Sequence, residues 1–162
     1  MKGWVGLLAR LIVGGVWIVA GALKLPDPAG SVRAVRAYEL LPEAVVPLVG
    51  YALPAVEIAV GLALVVGFLT RPAAVTSAAL FVVFIVGISA AWARGLQIDC
   101  GCFGGGGFDA DATAKYPWEI ARDVGLLALS AFLAIRPRTP FSLDTLLAPS
   151  PERNPHVPAQ QV

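Results

Sequence analysis

Residues 73–93 read AAVTSAALFVVFIVGISAAWA, with no Asp, Glu, Lys or Arg among them. A helix over that stretch, at 1.5 Å rise per residue, reaches about 30 Å, the thickness of a bilayer's hydrocarbon core. Backbone amides in lipid must find partners inside their own segment, and the run lacks the period-two alternation of a barrel strand. A membrane-spanning helix is therefore the expected form. Pro72 suits its first turn, and Arg94-Gly95 suits its end.

Three more apolar segments flank this one. The first covers residues 4–25, interrupted by Arg10; the second covers 44–69 and contains Pro47, Pro54 and Glu57. The fourth, over 117–135, opens at Pro117 and carries Glu119, Arg122 and Asp123 before its apolar part, ending at Arg136-Pro137. Its charged turns are expected at the interface or against other helices. The whole chain has 162 residues, of which 57% are hydrophobic and 14% charged, where a soluble domain carries roughly 25% charged residues. Its mean hydropathy is +0.76. The expected fold class is all-α: a polytopic membrane protein with a four-transmembrane-helix bundle over residues 1–138, then a disordered polar tail over 139–162 that includes His156. A rival reading takes residues 1–22 as a cleaved signal peptide, with Ala20-Gly21-Ala22 at the cut.

Between the first two segments, residues 26–43 suggest a short interfacial helix, capped by Ser31 and ended by Pro42. Val32, Val35 and Tyr38 would form one face, and Arg33 and Arg36 another. Lys and Arg near the spans set orientation. The acid-free Thr70-Arg71-Pro72 turn and the basic Arg136-Pro137-Arg138 run place both termini in the cytoplasm, which puts the loop after residue 93 outside.

That loop reads QIDCGCFGGGG over residues 97–107. Cysteines two apart can reach disulfide distance in a bent chain, and Gly101 between them permits the bend. So small a ring is expected to be strained and reducible, while as a staple it closes almost no loop and adds little stability. Redox work is favoured over a pair of inert thiols. Metal ligation is third, since the chain has one His and two Cys and a tetrahedral site needs four such ligands. Asp99 would raise a neighbouring thiol's pKa, whereas Arg94, Lys115 or Arg122 would lower it if near. Glu119 and Asp123 share a helix face beneath the loop, with a solvated turn as the bland alternative. A net charge of +1 gives no basic face for nucleic acid.

Glu57 lies near the middle of its segment, where an unpaired charge is costly. Arg10, or backbone freed by Pro54, is its expected partner, unless Arg10 snorkels to the cytoplasmic interface. Ala55, Ala59, Ala63 and Gly67 form a small-residue stripe suited to close helix packing.

Several of these features occur together in a known pattern. They are Ala20-Gly21, Lys24-Leu25, Asp27-Pro28, Ala37-Tyr38, Leu40-Leu41-Pro42, Pro54, Glu57, Gly61, Arg94-Gly95, Cys100-Gly101-Cys102-Phe103-Gly104, Trp118, Arg122 and Asp123. In these the chain, from Arg10 to about Leu129, resembles the MauE branch of the DoxX-like membrane proteins. The Cys-Gly-Cys-Phe-Gly stretch is the most specific of the matches. The resemblance implies a redox-associated four-helix protein that supports disulfide formation or electron transfer at the membrane. In the MauE branch this serves methylamine utilisation, through maturation of methylamine dehydrogenase's disulfide-rich small subunit; DoxX relatives are linked to thiosulfate–quinone oxidoreduction. Cys100 and Cys102 would then be the reacting pair, supported by Asp99, Gly101, Phe103, Glu57, Arg122, Asp123 and Lys24. The implied partner is an extracytoplasmic thioredoxin-like or disulfide-containing protein, and analogy adds membrane quinone as an electron acceptor. The competing expectations are a non-catalytic anchor of a redox complex and a small transporter using Glu57.

Overall fold

The computed structural model describes residues 2–136 and 142–144, with side chains from Trp4 onward. It contains five helices: α1 (Lys2–Lys24), α2 (Pro28–Ala37), α3 (Val46–Val66), α4 (Thr70–Ala93) and α5 (Ala112–Ile135). Among the described residues there is no strand, only isolated bridges in the loop before α5. The helices α1, α3 and α4 are long and apolar enough to cross a membrane. Much of what they turn outward is aliphatic, including Leu8 and Ile12 on α1, Leu48 on α3, and Val83 and Val86 on α4. Water would make that surface costly, whereas lipid does not. Helix α5 is as long as α4, but Lys115, Glu119, Arg122 and Asp123 break the apolar character of its first half.

Close approach of backbones fixes how α1 meets α3. A Cβ placed on Gly14 would lie 2.9 Å from the Gly61 carbonyl oxygen, and one on Gly21 would lie 2.8 Å from that of Pro54. The two helices thus run antiparallel, with Gly14 level with Gly61 and Gly21 level with Pro54. This corrects the expected packing stripe: Ala55 and Ala59 are exposed, and the face that packs carries Pro54, Glu57, Gly61 and Leu64. At the centre of the bundle, Trp17 lies against Phe81, with ring centroids 4.5 Å apart. Its Nε1 donates to Ser77 Oγ at 2.7 Å, and Ser77 meets Ser130 of α5 at 2.9 Å. A buried indole N–H needs such a partner, and this chain of bonds ties α1, α4 and α5 together.

The helix ends follow local chemistry. Gly67 (φ 74°) and Gly95 (φ 69°) close α3 and α4. Phe68 N–H bonds to Ala63 O and Leu96 N–H to Ala91 O, both at 3.0 Å, the six-to-one bond of a left-handed glycine cap. Two expected boundaries shift. Helix α2 is capped by Asp27, whose side chain accepts from Gly30 N–H at 2.9 Å; Ser31 is buried inside the helix, which ends at Ala37 before Pro42. Pro117 lies inside α5, which starts at Ala112. Of the polar tail expected after Arg138, only Ser142–Asp144 falls within the described residues. Asp144 there accepts from Leu69 and Thr70 N–H, both at 2.8 Å, at the start of α4.

Candidate functional site

The cysteine loop is held closed at its neck and anchored at its tip. At the neck, Asp99 N–H donates to Gly107 O at 2.9 Å and Asp109 N–H to Gln97 O at 3.0 Å. Tyr116, buried at the start of α5, donates to Leu96 O at 2.7 Å, lies 3.0 Å from Ile98 O and accepts from Ile98 N–H at 3.2 Å. At the tip, Gly101 has φ 66°, and its N–H donates to Asp99 Oδ1 at 2.7 Å. Cβ atoms placed on Gly101 and Gly106 would lie 2.7 and 2.6 Å from the Ala34 methyl. The glycines therefore let the loop lie flat on α2, and Asp99 secures the turn.

Two side chains from the bundle hold the cysteine carbonyls. Tyr38, just past α2, donates from its hydroxyl to Cys100 O at 2.9 Å. Lys24, the last residue of α1, places Nζ 2.9 Å from Cys102 O and 2.6 and 2.9 Å from the two Glu57 oxygens. Lys24 is 4% exposed and Glu57 is fully buried, so this charge pair is screened from water and tightly made. The expected Arg10–Glu57 contact is thereby overturned. Arg10 lies at the opposite end of the bundle beside Gly67, because α1 and α3 run antiparallel and bring Lys24 to Glu57.

The sulfurs differ in setting. Cys100 is half-buried and Cys102 buried, and both are free thiols. The Cys102 N–H points at Cys100 Sγ at 3.3 Å, while the Cys102 thiol faces Cys100 O at 3.9 Å. The Cys102 thiol is pushed well above its ordinary value by its hydrogen bond with Cys100, by burial, and by negative charge on Cys100 and Asp123; Arg122 opposes this. Arg122 also covers the Phe103 ring at 4.8 Å and pairs with Asp123 at 2.8 Å. Arg94 is engaged by Glu39 at 2.8 Å and Lys115 by Asp109 at 2.6 Å. Of the three cations weighed from sequence, Arg122 is thus the one that bears on the thiols.

Glu119, one turn before Asp123 on α5, lies within side-chain hydrogen-bonding reach of Cys100. Its Oε2 and Asp123 Oδ2 are buried with no partner. Next to the loop is a cavity of about 250 Å³ between α2, α3 and α4, walled by Leu53, Phe84, Tyr38, Ser31 and both cysteines. Ser31 Oγ there is also without a partner.

The structure therefore brings Lys24, Glu57, Asp99, Gly101, Phe103, Arg122 and Asp123 together around Cys100 and Cys102. Sequence reasoning missed the anchoring roles of Tyr38 and Tyr116. Tyr38 had appeared only as part of an apolar helix face, and nothing in the sequence around Tyr116 marks its hydroxyl as a clamp.

The family model described as "Methylamine utilisation protein MauE" matches residues 2–136. A similar protein, the methylamine utilization protein MauE of Paracoccus denitrificans, is 39% identical over 98 residues, which cover 60% of this chain and 53% of that one. The aligned part thus spans about half the length of that relative. No solved structure matches. With four-fifths of its length under one family model, and with the helices and the Cys-Gly-Cys loop described above, the chain belongs to the methylamine utilisation MauE family.

Proposed function

We propose that this protein is a four-span membrane protein that exchanges disulfides with an extracytoplasmic partner, serving disulfide formation or electron transfer in methylamine utilisation. In this reading α5 is the fourth span, with its charged turns facing the thiol site. Helix α2 lies at the outer interface with Arg33 and Arg36 toward the headgroups. The cysteine loop is extracytoplasmic, where thiols are readily oxidised, and the C-terminus is cytoplasmic.

The observation that carries the reading is the mounting of the loop. A buried ion pair and two tyrosine hydroxyls fix the backbone around a Cys-Gly-Cys turn, leaving one sulfur half-exposed. A turn meant only to connect two helices would have no need of such anchoring. Family membership supports the pathway, and the partner is expected to be thioredoxin-like or itself rich in disulfides. The apolar cavity beside the thiols also fits a quinone ring, with Tyr38 and Ser31 as its polar contacts. A quinone would supply a two-electron, two-proton acceptor for the dithiol.

Trapping tests the reading. In cells that carry the pathway, a Cys100→Ser or Cys102→Ser protein is expected to hold a partner in a mixed disulfide, visible on a non-reducing gel and lost on reduction. A non-catalytic anchor would give no adduct with either variant and would keep function in the double variant. The topology has its own check: after reduction, a membrane-impermeant maleimide should label the loop in intact cells. Labelling only after lysis would overturn the extracytoplasmic placement.

A further inference from the structure

We propose that Cys100 is the attacking sulfur, Cys102 the resolving one, and Glu119 the group that accepts the Cys100 proton. The assignment rests on the exchange reading above and deepens it.

Access separates the two sulfurs first. Cys100 is half-buried, whereas Cys102 is 7% exposed. An incoming disulfide needs a line of approach to the attacking sulfur, so Cys102 is poorly placed to attack first. Local donors separate them again. The Cys102 amide N–H aims at Cys100 Sγ at 3.3 Å, and a donor pointed at a sulfur favours its thiolate. The Cys102 thiol instead faces a carbonyl oxygen, which favours the protonated form.

Glu119 completes the arrangement. It projects from the second turn of α5 to within hydrogen-bonding reach of the Cys100 thiol. Its other oxygen, Oε2, is buried and has no partner. The charged and titratable groups around the pair are Asp99 and Cys102 from the loop, Tyr116, Arg122 and Asp123 from α5, and Tyr38 from the end of α2. Lys24 and Glu57 close the floor through Cys102 O.

In the forward step, the Cys100 proton passes to Glu119 and the thiolate attacks one sulfur of the partner's disulfide. A Cys100–partner bond forms, the partner's bond breaks, and the departing sulfur takes the proton from Glu119. Cys102 then attacks Cys100, its proton goes to the second departing sulfur, and the partner leaves with two thiols. Two electrons have moved from this chain to the partner, and the reverse sequence oxidises a partner dithiol.

Iodoacetamide alkylation of the full-length protein in detergent tests this without any partner. It reads the sulfurs directly, so its result is independent of whether a mixed disulfide is ever trapped. At pH 7 the Cys102→Ser protein, which keeps Cys100, should react about tenfold or more faster than the Cys100→Ser protein. Adding Glu119→Gln to the Cys102→Ser background should slow alkylation several-fold, and Glu119→Asp should restore part of the rate. A thermal melt of each variant checks that it is folded. Equal rates for the two sulfurs, or a faster Cys102, would overturn the sulfur assignment. A Glu119→Gln protein reacting as fast as its parent, or faster, would reduce Glu119 to a bystander that only repels the thiolate.

Discussion

The two ends of the bundle use the same device for different purposes. At one end, Asp144 reaches from beyond α5 to accept two backbone N–H bonds at the start of α4, beside a positive-φ turn at Gly67 and Leu69. At the other end, Lys24 reaches from α1 to donate to the Cys102 carbonyl, beside a positive-φ turn at Gly101. Each is a charged side chain from a distant segment satisfying backbone groups that a tight turn leaves open. The Asp144 end closes a helix and presents no nucleophile. The Lys24 end holds two thiols, two unpartnered carboxylate oxygens and a cavity. What sets the two ends apart is the groups left over once the backbone is satisfied.

Breaking the Lys24 end should have the largest effect. Lys24→Met leaves Glu57 buried without its partner and should cost about 3–5 kcal/mol, read as a large drop in thermal stability in detergent. Pairing it with Glu57→Leu should recover much of that loss, because two apolar side chains leave no stranded charge. In both variants the loop loses its hold on Cys102 O, so Cys102 should alkylate faster than in the parent. An unchanged melt for Lys24→Met would mean that the ion pair is not formed.

Gly101→Ala should come next. An alanine there must hold φ near 66° and press its Cβ against Ala34, at a cost of about 1–3 kcal/mol. The matched substitution Gly67→Ala meets Arg10 and Ser142 at the opposite end and should lower stability comparably. Only Gly101→Ala should alter the thiol alkylation rates. Equal effects of the two on the thiols would dissolve the distinction between the ends.

Asp144→Ala should be the mildest, at about 1 kcal/mol for a lost helix cap, with no change in thiol reactivity. Burial pushes the Asp144 carboxyl up, but the donors of Thr70 and Leu69 outweigh it and hold it below its ordinary value. Its contribution is therefore present above the ordinary Asp range, about pH 3.9, and is lost as pH falls through the lowered value. The Asp144→Ala protein should lack this part of the acid sensitivity in a melt-against-pH series.

Much of the fold was legible because lipid demands long uncharged helices, and residues 73–93 satisfy that demand locally. The cysteine loop was legible because two thiols around a glycine are unusual chemistry in a chain with two cysteines. The partner of Glu57 was not. Arg10 and Lys24 both stand on α1, and the choice between them depends on how α1 slides against α3. The contacts Gly14–Gly61 and Gly21–Pro54 settle that register, and no periodicity in either segment encodes it alone. The same register turned Ala55 and Ala59 outward although their spacing suits packing. Ser31 made an acceptable cap on paper, but Asp27, four residues earlier, also sits before a proline that suits a first helical turn.

By itself, then, the sequence determined that the chain is helical, that its helices face lipid, and that its reactive groups lie in one loop. These properties depend on composition and spacing within single segments, where each residue's solvent is the main variable. Only the tertiary structure decided which cation meets Glu57, which hydroxyls clamp the loop, and that Glu119 stands over Cys100. Those contacts join residues far apart in the chain, and their geometry exists only once the backbones have packed to within van der Waals distance.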